Sequence, residues 1–220
     1  MDDSQFRSTQ HFERYNHHFE KAPIIQERIV DLVKLKESFI PSCFEGRGLE
    51  KLISNLPEVC EPLIKEFYAN AILRNDYLNC WVRGHEFILN VGDIDGVLRH
   101  GNPDYDDFTP FKDRMISIET VQSRIGGARE GKCLNTTTFP SDLRCLTYII
   151  LFKLYSVRKL TTINNVRAIF LMEFRERIYI DIGAHVFTII VEATRTTSRA
   201  KLVLPSLIIR ILHDKSVETP

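Results

Sequence analysis

No C-x-x-C pair occurs in this chain of 220 residues, and its five cysteines, Cys43, Cys60, Cys80, Cys133 and Cys145, are odd in number and widely spaced. That pattern offers neither a zinc ribbon nor a disulfide framework and points to free thiols in a reducing compartment. Cys60 and Cys80 read as small core residues. Net charge is absent as well: 29 basic residues balance 29 acidic ones. The chain as a whole therefore has no electrostatic reason to seek nucleic acid or an anionic membrane. Long hydrophobic runs are missing; the most apolar stretch, residues 146–154, contains Lys153 and is too short to span a bilayer. The N-terminus is polar and acidic, without a secretory pattern, so a soluble intracellular protein with no membrane partner is the expectation.

Reaction signatures are equally scarce. Asp-Thr-Gly, Asp-Ser-Gly and Gly-x-Ser-x-Gly do not occur, nor do the zinc knuckle and the paired-His, paired-Cys module of integrases. His85-Glu86 does not open a zinc helix, because Leu89 stands where the second histidine is needed. Gly46-Arg47-Gly48 lacks the lysine and hydroxyl residue of a phosphate loop. In the acidic loop 101–112, Tyr105-Asp106-Asp107 lacks the residue that polymerase sites place between the tyrosine and the aspartate pair, so this loop reads as solvated. His11, His17 and His18 have no carboxylate or cysteine in a ligand pattern beside them. No catalytic residue, metal ligand or cofactor is nominated, and an enzyme is not the expected reading.

What the chain does have is an ordinary globular composition, 44% hydrophobic and 26% charged, and enough length for a large core. Charge is unevenly distributed: residues 1–113 hold 13 basic against 20 acidic side chains, and residues 114–220 hold 16 against 9. Opposite faces meeting inside the monomer explain this; head-to-tail self-association or a basic C-terminal contact surface is the sharper alternative.

Cys60, Leu63, Ile64, Phe67, Tyr68, Ala71 and Ile72 recur at helical spacing and predict a helix with one buried face. Asn75-Asp76 breaks it. Leu78, Cys80 and Val82 then alternate toward a turn at Arg83-Gly84, which predicts a hairpin, and Asn90 or Asp93 can cap the helix after it. Further helices are expected from Phe6 onward, capped by Asp2, Asp3 or Ser4, and over 49–56, 115–125, 141–157, 180–191 and 205–212, with another opening at Thr161 or Thr162. Residues 41–48 read as a loop, and 126–138 as a hinge or disordered loop.

The segment LIKEFYAN at 63–70, followed by Trp81-Val82-Arg83-Gly84 and the run 87–94, resembles the putative plant transposon protein domain, found in plant proteins of retroelement origin. The similarity extends through 144–171, 180–183 and 204–208, covering about 19–213. The resemblance implies an origin and supplies no catalytic residues.

The expected fold is mainly α: a single multi-helix domain with one small antiparallel β-hairpin near residues 78–89. An N-terminal helix or arm over 1–22 precedes the domain at 23–213, and 214–220 is a tail. The expected function is a non-catalytic binding or assembly module with a protein partner or a second copy of itself. Nucleic-acid association through Arg195, Arg199, Lys201 and Arg210 is the alternative.

Overall fold

Helix α4 (Glu61–Asn70) lies on a three-stranded antiparallel meander, and each accounts for the other. The computed structural model describes residues 5–27, 29–47, 49–54, 56–98, 111–157, 161–195 and 201–218. Pro62 sits in the first turn of α4, where a missing N–H costs nothing, and Glu61 pairs with Lys65 at 2.7 Å. Leu63, Ile64, Phe67 and Tyr68 are all fully buried. The chain leaves α4 through extended Ala71 into β1 (Ile72–Arg74), β2 (Tyr77–Val82) and β3 (His85–Leu89). In β2, Leu78, Cys80 and Val82 are buried while Tyr77, Asn79 and Trp81 are half-buried, the alternation of a sheet with one face on the core. Arg83 (φ 52°) and Gly84 (φ 80°) make the left-handed two-residue turn that matches the twist of β2 and β3.

The single expected hairpin is therefore a meander, and it is not the only sheet. Helical spacing assigned Ile72 to α4, but Ile72 opens β1, whose three residues are too short to show a period of their own. Two strands of a second antiparallel sheet, β4 (Ala128–Glu130) and β5 (Cys133–Asn135), occupy the region expected to be a hinge, and β6 (Thr162–Asn164) pairs with β5 to complete it. Its glycines build the hairpin: Gly126 (φ 78°) and Gly127 (φ 91°) lead out of α6 (Ile118–Ile125), and Gly131 (φ 61°) turns β4 into β5. Thr162 starts β6 and not a helix. Asn164 then caps α8 (Asn165–Arg175) by accepting from Arg167 N at 3.1 Å. Helix predominates, yet two small sheets make this a mixed α and β structure.

Other boundaries move for local reasons. The expected loop at 41–48 contains α2 (Ile40–Phe44), because Pro41 stands in its first turn. Helix α1 (Thr9–Arg14) continues as a π-helical turn over Tyr15–Phe19 and has Ser8 at its cap position. The proposed caps Asp2, Asp3 and Ser4 lie outside the described residues. Helix α3 (Glu50–Ile53) is short; α7 (Ser141–Lys153) begins after Pro140 and ends before the expected Val157. Asn90 and Asp93 both cap α5 (Val91–Leu98), reciprocally: each main-chain N–H bonds the other's side chain, at 2.9 and 3.0 Å.

Helix α10 (Pro205–Asp214) is enclosed by the rest of the fold. Every residue from Pro205 to Leu212 is buried except Arg210. Helix α9 (Ile182–Arg195) packs on α5, where Gly183 leaves room for the buried Asp95 carboxylate. One contiguous apolar core gathers side chains from Phe6 to Val217.

Candidate functional site

The residues that looked most specific in the sequence, 66–70 on α4, meet distant parts of the chain. Glu66 is buried, and its carboxylate accepts from Arg83 N at 2.5 Å and lies 3.5 Å from Arg83 Nε, which fixes the β2–β3 turn. Phe67 packs edge-on to Tyr68, with ring centroids 5.2 Å apart. The Tyr68 hydroxyl donates to Val203 O at 2.8 Å, and burial raises its pKa far above that of an ordinary phenol. Asn70 donates to Gln5 O at 2.8 Å and holds the N-terminal segment to α4. Beside it, Arg14 donates to Ala69 O, Ala71 O and Thr194 O, joining α1, α4 and α9. These side chains act as hydrogen-bonded ties between distant segments of the chain.

Two buried polar centres lie elsewhere. Half-buried Glu27 accepts from Ser206 N at 3.0 Å, capping α10 from a separate segment; burial raises its pKa against the opposing effect of that bond. Lys153 is buried among Leu52, Ile53, Ile149 and Phe174, and its Nζ has no hydrogen-bond partner among the described residues. Burial lowers its pKa to about 8, although the charge of Glu27 works the other way. In the second centre, His185 Nε2 lies 2.9 Å from the Tyr155 hydroxyl and the ring stacks on Phe170. Burial, with the Arg114 charge adding to it, pushes the His185 pKa down to about 3, so the imidazole is neutral at physiological pH. A neutral histidine walled by Phe111, Tyr155 and Phe170 is an aromatic core element with a satisfied polar edge.

Three of the four basic residues singled out in the sequence are among the described residues. Arg195 ends α9 and is exposed, and Lys201 is exposed just before α10. Arg210 is half-buried and donates to Ser54 O at 3.4 Å. Arg199 lies outside the described residues, as do Asp106, Asp107 and most of the acidic loop. His11 is buried, with Nδ1 2.7 Å from Ser8 Oγ. Among the described residues no group of three or more His, Cys, Asp or Glu side chains could hold a metal ion. No helix among them is long and apolar enough to cross a membrane.

Two surface grooves carried no sequence signal, because each is assembled from separate segments. One of about 720 Å³ is lined by Ile24, Ile25, Glu27, Val59, Glu61 and Phe152. Both of its carboxylates are engaged, Glu27 with Ser206 and Glu61 with Lys65. The other, of about 540 Å³, borders β3.

No curated protein and no solved structure matches the chain. One family does, described as a putative plant retrotransposon-related domain, and it matches residues 45–218. That span takes in α4, both sheets and α10, so the ties made by Glu66, Tyr68 and Asn70 start within it. The chain belongs to this plant retrotransposon-related family.

Proposed function

We propose that the chain is a non-catalytic, retroelement-derived module that works by binding or assembly. One observation carries this reading. The polar groups of the segment 66–70, within the span the family matches, are committed to partners inside the fold, so this segment builds a scaffold. The buried titratable groups fit the same reading. His185 is enclosed by aromatic rings, and Lys153 lies among apolar side chains. All five cysteines are unpaired, which suits a reducing intracellular compartment.

Nucleic-acid association is the second reading, favoured by the exposure of Arg195 and Lys201. Arg210, turned toward Ser54, weakens the cluster. Titration with DNA and RNA at increasing salt, alongside light scattering, separates the two. The expected result is no salt-sensitive binding. A log–log salt slope that falls by about 2 when Arg195 and Lys201 are both neutralised would establish a phosphate-contacting surface instead.

A further inference from the structure

Among the described residues, no strand pairs with the outer edge of β3. Val82 stands opposite His85 across a two-residue turn, so Val82–His85, Cys80–Phe87 and Leu78–Leu89 are the hydrogen-bonded pairs with β2. The main-chain N–H and C=O groups of Glu86 and Ile88 consequently point away from β2. Both residues are exposed, Ile88 by 49%. Neither proline nor lysine interrupts His85–Leu89 to protect this edge. The groove of about 540 Å³ runs beside it, lined in part by Tyr77, Asn79, Phe87 and Asn90.

We propose that β3 pairs antiparallel with β3 of a second copy about a two-fold axis, joining the two meanders into one continuous sheet. This names the partner within the assembly reading above and rests on it. Self-complementarity argues for a second copy over an unrelated strand. When the pairing is centred on Phe87, Glu86 stands opposite Ile88 of the other copy and Ile88 opposite its Glu86, so each outward N–H meets an outward C=O. No like charges face each other. Glu86, held by Arg7 at 2.6 Å, lies beside an isoleucine. The same register brings the Arg83 turn of each copy, held by Glu66, alongside the Asn90 and Asp93 cap of the other, where Asp93 is paired with Lys215 at 2.5 Å. A five-residue strand pair buries less than the roughly 800 Å² per partner of a standard stable interface. The dimer is therefore weak and concentration-dependent.

Sedimentation velocity on the full chain from micromolar to millimolar concentration tests this. The wild type is expected to move reversibly from monomer to dimer. Ile88→Glu, which places a carboxylate opposite Glu86, should weaken the dimer by at least about tenfold. Ile88→Lys, which faces Glu86 with a cation, should keep or tighten it. Ile88→Pro removes an outward N–H without touching the β2 ladder and gives a second blocking variant should Ile88→Glu melt early. A wild type that stays monomeric at millimolar concentration overturns the proposal. A dimer indifferent to both blocking variants overturns β3 pairing but leaves the assembly reading standing. A monomer that binds nucleic acid with a steep salt slope overturns both.

Discussion

The Tyr68 hydroxyl and the Val203 carbonyl are 2.8 Å apart, joined across 135 residues of chain. The next residue, Leu204, is in the left-handed region at φ 49° and ψ 42°, a conformation that costs a leucine on the order of 1 kcal/mol or more. On its far side, Ser206 N bonds to Glu27 at 3.0 Å. The elbow that turns the chain into α10 is thus held from both sides, by a side chain of α4 and by one from the segment before α2.

Tyr68→Phe keeps the ring and removes only the hydroxyl, leaving a buried carbonyl unmatched. The expected loss of stability is about 1–3 kcal/mol, read as a lower urea midpoint at constant slope. An unchanged midpoint would show that the elbow holds without this bond.

Lys153 has the opposite sign. Its pKa falls from 10.5 in the unfolded chain to about 8 in the fold. Between those values the unfolded state binds the extra proton, so the contribution of Lys153 to stability rises with pH through that window and is least favourable, and flat, below about pH 8. Lys153→Met should stabilise the protein by about 1–3 kcal/mol at neutral pH and remove this rise. Urea denaturation from pH 7 to 10, wild type against variant, decides it; parallel curves would mean that the ammonium is solvated.

How far the sequence reveals this fold depends on how local each signal is. The alternation of Leu78, Cys80 and Val82 lies within six residues, and the turn after it is read from Arg83-Gly84. The β5–β6 pairing is not local: Leu134 meets Ile163 after all of α7 has intervened, and strands of three residues are too short to announce themselves. Tyr68 falls on the apolar face of α4 and reads as core; nothing nearby tells that its hydroxyl has a partner beyond residue 200. Proline misleads in α2, where Pro41 suggests a loop yet occupies a helical first turn. The basic cluster was legible as composition only. Arg210 itself sits on a helix buried on nearly every side, which composition does not show.

Gly183 sets the approach of α9 to α5. A methyl group there would overlap the buried carboxylate of Asp95. Gly183→Ala should therefore destabilise by about 1–3 kcal/mol even though alanine is the better helix former. Glycine-to-alanine exchange at Gly96, where a Cβ meets nothing within 4 Å, is the control and should be neutral or stabilising. Equal effects at the two positions would show that close packing does not set this crossing.

Helix α10 follows every other described helix in chain order, yet it lies enclosed within the fold. The α4–meander unit, by contrast, occupies consecutive residues from Glu61 to Leu89 and makes its contacts over short loops, so it can assemble while the chain is still leaving the ribosome. Until Pro205–Asp214 arrives, the apolar side chains that will surround it have no native partner, and a nascent chain halted before that point presents an unfilled core to chaperones and proteases.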